Sequence, residues 1–504
     1  MANYIMLQGT SSHVGKSVLT TALCRIFFQD GKKVVPFKAQ NMALNSYVTK
    51  DGKEMGRAQV AQAEAAGLEP QVVMNPVLLK PTGNSRSQVI LMGNPIGNMT
   101  ANEYHNGYSL KALSTVKDCL QKLDREYDTI VIEGAGSPAE INLKANDIVN
   151  MRVAKLLNAP VLLIADIDRG GALASIVGTL ELLDSDERDL IKGIIINKFR
   201  GDIRLLQPAL DFLKEKTGKP VVGVLPYLDN LGIDDEDSVS LNDKNLPKES
   251  AELTVAVIKT PKISNFTDFD SLANEPDVLV KYIGKGEPIG EPDLIILPGT
   301  KNTIEDLSYL YENGYAQEIK NSLKKSIPVI GICGGYQMLG QEILDPHHME
   351  SEIDCIQGLG LLTTRTIFAK SKSTYQVTAS YIGKGFLGMN EVNEVLNGYE
   401  IHMGKTEFLD TTNHAFSITN QISNKVYQDG LISEDGLVLG TYMHGIFDND
   451  LYRRSLLNAL RKRKNLEPLQ QITNQYAQKQ QSYNRLANTV RNNLNMDLIH
   501  KIME

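Results

Sequence analysis

The chain reads as an α/β protein of two domains, each with a mostly parallel sheet flanked by helices. Three observations predict this. Over residues 1–226, short apolar runs alternate with helical stretches, the pattern of parallel strands joined by right-handed crossovers. A second series of apolar runs begins at Leu253, after an acidic stretch poor in apolar residues at 227–250. In both halves the runs end abruptly in polar or glycine-rich turns, and in open α/β sheets ligands bind just beyond the strand ends. At 504 residues the chain has room for two or three domains. The expected division is a first domain over 1–228, an acidic linker at 229–250 around Asp234–Asp237, a second domain over 251–450 and a helical extension over 451–504.

Composition excludes several classes. An apolar content of 42% with 22% charged residues suits ordinary globular domains. No apolar run approaches the roughly 20 residues of a membrane span. The N-terminus carries no basic region before its first apolar strand, which argues against a signal peptide. Cys24, Cys119, Cys333 and Cys355 are widely spaced and form no zinc-type cluster, so a reduced, cytoplasmic protein is expected. A net charge of -8 without a long basic run argues against nucleic acid as the main partner.

The first strand, Tyr4 to Gln8, runs into Gly9-Thr10-Ser11-Ser12-His13-Val14-Gly15-Lys16-Ser17 and then an amphipathic helix to about Phe28. A glycine-rich loop between strand and helix offers backbone N–H groups to phosphate, and the helix dipole adds to them. Gly9, Thr10, Gly15, Lys16 and Ser17 are therefore read as nucleotide-binding. Lys16 reaches the outer phosphates and the Ser17 hydroxyl binds Mg²⁺. Five residues separate Gly9 from Gly15, one more than the strict Walker A spacing.

The strand Lys33 to Phe37 ends at Lys38, which is placed to meet an anionic substrate group or a phosphate. Asp51 and Glu54 follow, and neither is singled out for a metal role. Residues 56–68 and Leu110 to Leu123 read as helices, and Pro76 to Gly97 as one strand with loops on the substrate side. Tyr127 to Ile132 ends in Glu133-Gly134-Ala135-Gly136, where a carboxylate opposite the phosphate loop suits a Mg²⁺ contact. Pro160 to Ala165 leads to Asp166 and a helix from Ala172 to Leu183. Lys192 to Ile196 leads to Asn197, whose amide can read an adenine edge. Pro220 to Leu225 closes the series.

In the second half, strands are expected at Leu253 to Lys259, Leu294 to Leu297 and Ile327 to Ile332. Asn265 to Asp270 is a polar loop that could line a rim. The third strand stops at Cys333-Gly334-Gly335, and a helical stretch follows from Tyr336 to Ile343. Such a turn has the form of a nucleophile elbow with cysteine in place of serine. It exposes Cys333 at a helix N-terminus, which favours the thiolate, and turns the Gly334 N–H toward an oxyanion. His444, at the end of the run Leu437 to Tyr442, is the best base for it. Glu400 and His402 share a face of a strand, and either, or neither, could support His444. His347 and His348 lack ligand spacing and read as surface residues. The basic stretch Leu451 to Asn465 reads as solvated charge or a domain contact, and the tail from Gln470 as helical and peripheral.

The elbow, Leu297-Pro298-Gly299 and Tyr442-Met443-His444-Gly445 resemble a class I glutamine amidotransferase domain. The resemblance implies that Cys333 attacks the amide of glutamine, that His444 is the general base, and that the N–H groups of Gly299 and Gly334 form the oxyanion hole. Most of that family place a Glu two residues after the His, where this chain has Ile446. The longer phosphate loop resembles that of dethiobiotin synthetase and its relatives.

Together with Pro36-Phe37-Lys38-Ala39-Gln40-Asn41-Met42, the motifs at Glu133, at Asp166-Ile167-Asp168-Arg169-Gly170-Gly171 and at Asn197-Lys198-Phe199-Arg200-Gly201-Asp202 resemble the cobyric acid synthase family. Gly398 to Gly404 extends the match, which covers nearly the whole chain in family order. It implies an ATP- and glutamine-dependent ligase that amidates the b, d, e and g carboxylates of adenosylcobyrinic acid a,c-diamide, with Mg²⁺ and no prosthetic group. Glutamine, ATP and a corrinoid are then the partners. Three other readings are weighed: cobyrinic acid a,c-diamide synthase, a partitioning-type switch ATPase with no use for Cys333, and a stand-alone glutaminase.

Overall fold

The structure, a computed structural model, describes residues 2–83, 85–228, 231–234, 241, 245, 248–389, 392–410 and 413–504. It separates into two compact units that do not follow single stretches of chain. The first comprises Met1–Ala43, Met55–Glu236 and Lys479–Glu504, and the second Leu44–Glu54 and Asp237–Gln478.

The first unit is built on a six-stranded, all-parallel sheet. Its order is Val221–Pro226, Ile191–Phe199, Val161–Asp166, Asn3–Gly9, Thr129–Glu133 and Val34–Phe37. A parallel sheet is covered on both faces, so its strands are apolar throughout rather than alternating. Val161 to Ala165 is an unbroken buried run for this reason. The helix Lys16–Gln29 lays Leu19, Leu23, Ile26 and Phe27 on the sheet.

Three expectations are corrected here. Pro76 to Gly97 is not one strand. It forms the antiparallel strands Val77–Gly83, Arg86–Leu91 and Asn94–Thr100, with Gln40–Met42 alongside in parallel. The tail is not peripheral. The helix Gln475–Asn493 buries Tyr483, Leu486, Ala487 and Val490 in the same cluster as Leu23 and Phe27. Tyr483 donates to Glu64 at 2.8 Å, and Asn495 N–H donates to the Val222 carbonyl at 2.9 Å. Asp234 of the acidic stretch is not a solvated linker charge, because it accepts from Arg57 at 2.7 Å and Lys479 at 3.0 Å. Asp235, Glu236 and Asp237 lie outside the described residues.

The second unit carries a sheet in the order Val278–Ile283, Leu253–Ile258, Leu294–Leu297, Val329–Ile332, Val438–Thr441 and Leu431–Ile432, parallel except for the last pair. A second, mostly antiparallel sheet is built around the long strands Thr364–Tyr381 and Leu396–Phe408. The segment 44–54 belongs to this unit. Val48 packs on Tyr399 and Ile401, and Gln376 donates to Tyr47 at 2.7 Å and to the Val48 carbonyl at 2.9 Å.

The basic helix is Asp450–Arg463, and its charge is largely not solvated. Arg453, Arg454 and Arg461 are buried against carboxylates. Arg453 meets Glu275 at 2.7 Å, Arg454 meets Asp277 at 3.0 Å, and Arg461 meets Glu252 at 2.6 Å. Guanidinium groups are seldom buried unless paired in this way, since an unpaired buried charge is far more costly. The helix expected at Tyr336 to Ile343 starts two residues earlier and is shorter, Gly334–Leu339, because the chain turns at Gly340 into the strand Glu342–Leu344.

Candidate active sites

In the first unit the motifs meet at the carboxyl ends of adjacent strands. Parallel register sets Leu7 beside Glu133, Gly9 beside Ile164 and Asp166 beside Asn197. The loop after Gly9 is braced from its neighbours. Thr10 N–H donates to the Ile164 carbonyl at 2.9 Å, and the Asn197 amide donates to the Val14 carbonyl at 2.7 Å. Gly15 has φ 99°, and a Cβ there would lie 2.2 Å from Asn197 Nδ2, so only glycine fits. Lys198 donates to the His13 carbonyl at 2.7 Å and to Asp166 at 2.8 Å.

Glu133 is the hub of this site. It is 1% exposed and accepts three hydrogen bonds: Ser17 Oγ at 2.7 Å, Lys38 Nζ at 2.8 Å and Gln62 Nε2 at 2.6 Å. Lys16 Nζ donates to the Ser11 and Gly136 carbonyls at 3.1 and 3.0 Å. The structure thus brings Gly15, Lys16, Ser17, Lys38, Glu133 and Asn197 to one end of the sheet. Gln62, in the helix Arg57–Ala65, is an addition that its alanine- and glutamine-rich sequence did not mark out.

The Ser17 hydroxyl and Glu133 carboxylate are oxygen donors 2.7 Å apart. Among the described residues no group of three or more His, Cys, Asp or Glu could hold a metal ion. Mg²⁺ does not need one, because it keeps several waters and takes one or two carboxylates together with substrate phosphates. The donor set fits that ion. Glu54, weighed earlier for a metal, is instead an ion-pair partner of Lys372 in the second unit at 2.5 Å. Asp51 accepts from the Thr49 hydroxyl.

In the second unit the strand Val329–Ile332 ends at Cys333, whose backbone is at φ 52°, ψ −108°. A non-glycine residue rarely adopts positive φ, and such strain concentrates at functional turns. The turn closes because Gly334 and Gly335 have no side chains. A Cβ on Gly335 would lie 2.0 Å from the Leu297 carbonyl oxygen, and one on Gly334 would lie 2.4 Å from Thr300 Cγ2. Cys333 is 7% exposed, and its sulfur is 3.6 Å from the Ile401 carbonyl.

His444 follows the neighbouring strand Val438–Thr441 and is held on every side. Its Nδ1 bonds Asp268 Oδ2 at 2.7 Å, and its ring lies flat on Tyr399 at 5.1 Å and 13°. It is also close enough to Cys333 for the two side chains to interact electrostatically. Gly299 leaves room for the ring, since a Cβ there would lie 3.0 Å from His444 Cε1. Burial pushes the imidazolium down, but the charges of Asp268 and Cys333 outweigh it and raise His444 to about 10. Cys333, His444, Gly299 and Gly334 therefore share one site.

The third member is Asp268, which sequence reasoning placed only on a rim. It sits in the one-turn 3₁₀ helix Phe266–Phe269, and its other oxygen accepts from Gly445 N–H at 3.1 Å. Neither Glu400 nor His402 takes this role. The His402 ring nitrogens are engaged by Glu400 at 3.1 Å and the Gly404 carbonyl at 2.8 Å, and its ring stacks on Tyr442 at 3.8 Å. The polar loop just beyond the carboxyl end of Leu253–Ile258 was the available signal. His347 and His348 are exposed.

Comparison with known proteins agrees with both halves. The family model described as the CobQ/CobB/MinD/ParA nucleotide binding domain matches residues 5–240, and that of the CobB/CobQ-like glutamine amidotransferase domain matches residues 254–452. The cobyric acid synthase of Pelotomaculum thermopropionicum is 58% identical over 92% of this chain and 89% of its own. The cobyric acid synthases of Moorella thermoacetica and Desulfitobacterium hafniense (strain DCB-2) are 53% and 52% identical, covering 100% and 99% of this chain and 98% and 97% of their own. The chain belongs to the cobyric acid synthase family. As a member of that family it is a glutamine-dependent, amide-forming ligase of cobalamin biosynthesis that uses ATP and acts on small molecules. Membership favours the synthase over the diamide synthase, the switch ATPase and the lone glutaminase. No helix among the described residues is long and apolar enough to cross a membrane.

Proposed function

We propose that the chain amidates the b, d, e and g carboxylates of adenosylcobyrinic acid a,c-diamide to give adenosylcobyric acid, in the cytoplasm. The observation that carries the reading is the Cys333–His444–Asp268 alignment, in a chain that also holds a phosphate loop facing Glu133. A carboxylate is a poor electrophile, so the two sites divide the work. In the first unit the loop N–H groups and Lys16 bind the ATP phosphates, and Lys38 meets the carboxylate to be activated. Asn197 serves the adenine side through the loop it braces. Ser17 and Glu133 would hold Mg²⁺, which supplies charge neutralisation on the transferred phosphoryl group. A carboxylate oxygen takes the γ-phosphoryl group as the bond between the γ-phosphorus and the β–γ bridging oxygen breaks, ADP leaves, and the product is an acyl phosphate.

In the second unit the Cys333 sulfur attacks the glutamine carboxamide carbon. The carbonyl π pair moves onto oxygen, where the N–H groups of Gly299 and Gly334 stabilise it. His444, protonated and oriented by Asp268, gives its proton to the leaving nitrogen as the C–N bond breaks, releasing ammonia and leaving a glutamyl thioester. Water, deprotonated by His444, then frees glutamate and the thiol. Ammonia attacks the acyl phosphate and displaces phosphate.

Mass spectrometry of the corrinoid after incubation with glutamine and Mg·ATP tests this. Four successive exchanges of OH for NH₂ are expected. Amidation of the parent cobyrinic acid at two positions instead would overturn the substrate assignment. The Cys333→Ala variant should lose glutamine-driven amidation and keep the ammonia-driven reaction, whereas Lys16→Ala should lose both. A folded Cys333→Ala chain inactive with ammonia would contradict the division of labour.

A further inference from the structure

A pair of charges close to Cys333 has no assigned role. Lys301 follows the Gly299–Thr300 turn, and Thr300 is the residue against which Gly334 packs. Glu350 comes from the loop after the strand Glu342–Leu344 and accepts from the Thr303 N–H at 2.6 Å. The Thr303 hydroxyl in turn lies 3.2 Å from where a Gly334 Cβ would be, and it donates to Gln337 at 2.9 Å. Both residues are therefore linked through Thr300 and Thr303 to the turn that carries the thiol.

They are near enough to influence each other, yet they make no ion pair within 4.0 Å. Among the described residues the Lys301 ammonium has no hydrogen-bond or ion-pair partner. The neighbouring pair Lys372–Glu54, by contrast, is closed at 2.5 Å. Lys372 sits in the irregular stretch of Thr364–Tyr381 between Phe368 and Ser373, which face Gly404 and His402. Both Lys301 and Glu350 are half-buried. Burial raises the Glu350 carboxyl to about 7, against the opposing pull of Lys301, and burial lowers Lys301. Two opposite charges desolvated apart, instead of closed on each other, leave an interval that suits a ligand carrying both signs.

We propose that Lys301 binds the α-carboxylate and Glu350 the α-ammonium of the amino acid whose side-chain amide reaches Cys333. The proposal rests on the reading of Cys333 as a glutaminase nucleophile and deepens it. It makes the site specific for a free α-amino acid and not for any primary amide. Each charge is paired by the substrate on binding, and the same contacts are kept through the thioester. Loss of either charge therefore acts on substrate affinity more than on turnover.

The test is ammonia release from glutamine and from two analogues, glutaramic acid, which lacks the α-ammonium, and 4-aminobutanamide, which lacks the α-carboxylate. The native chain should prefer glutamine over both strongly. Glu350→Gln should raise the KM for glutamine about 10- to 100-fold with kcat within about threefold, and narrow the preference over glutaramic acid alone. Lys301→Met should do the same for 4-aminobutanamide alone. A KM within about threefold of native in both variants, or analogues that serve the native chain as well as glutamine, would overturn the assignment while leaving the Cys333 reading intact. A native chain that releases no ammonia from glutamine would overturn both. Should Glu350→Gln fail to fold, competition by the two analogues on the native chain still decides, since weak inhibition by each is required.

Discussion

His444 is pulled in two directions: burial favours the neutral ring, and Asp268 and Cys333 favour the cation. The cation wins, with a pKa raised from 6.5 to about 10. A raised pKa contributes stability that is fully present below 6.5 and is lost as pH rises through about 10. Asp268→Asn should therefore destabilise the chain most at neutral and acid pH, with the difference from native shrinking above about pH 10 in melting experiments. In glutaminase assays the same variant should lose roughly 10²- to 10⁴-fold in kcat, by analogy with other triads. Its alkaline limb should also fall from near pH 10 toward neutrality. An unchanged limb would mean that Asp268 does not set the protonation of His444. At this scale the sequence was legible where glycine punctuates a strand end, as at Lys16, Glu133, Cys333 and His444. Asp268 was not, because it lies 176 residues from the histidine it orients and its loop carries no mark beyond polarity.

Elements show what glycine contributes and where it is incidental. At the elbow, a Cβ on Gly335 meets backbone, 2.0 Å from the Leu297 oxygen and 2.5 Å from its carbon, and no rotamer change relieves it. Gly335→Ala should cost about 3 kcal/mol or more, lowering the melting temperature and abolishing glutaminase activity together. Gly178, within the helix Ala172–Leu182, has no positive φ, and a methyl group there would meet nothing within 4 Å. Gly178→Ala should stabilise by about 0.5–1 kcal/mol. If both alanines behaved alike in thermal melts, the steric account of the elbow would fail. Parallel strands were read to within a few residues because they are continuous apolar runs. The hairpins at 77–100 were missed because their turns, at Gly83 and Gly93, looked like breaks in one strand.

For the whole molecule, the units are not separable at the acidic stretch that composition suggested as a boundary. The first unit needs Lys479–Glu504 and the second needs Leu44–Glu54. Residues 1–236 expressed alone would lack Tyr483, Leu486, Ala487 and Val490, part of the apolar cluster of the first unit. Residues 237–504 alone would lack the strap that gives Ser46 to Asn265 at 2.9 Å and Val48 to Tyr399. Each half should be insoluble or poorly folded by size-exclusion chromatography, and co-expression should recover material. Two soluble, monodisperse halves would show that the exchanged segments are dispensable. Nothing in residues 44–54 or 479–504 read separately announces this exchange, because a short polar loop and a glutamine-rich helix match many settings.

The position of the helix Gln475–Asn493 also has a consequence in time. The sheet of the first unit is complete at Pro226, and the helix that packs with it begins at Gln475, so it leaves the ribosome well after the sheet. At about 5–20 residues per second, the interval is on the order of 12–50 s. Throughout it, the apolar surface that Tyr483, Leu486 and Val490 will cover is open to water and to neighbouring chains. The yield of active protein should therefore depend on what shields that surface during synthesis, and a late stop codon should be as damaging as an early one.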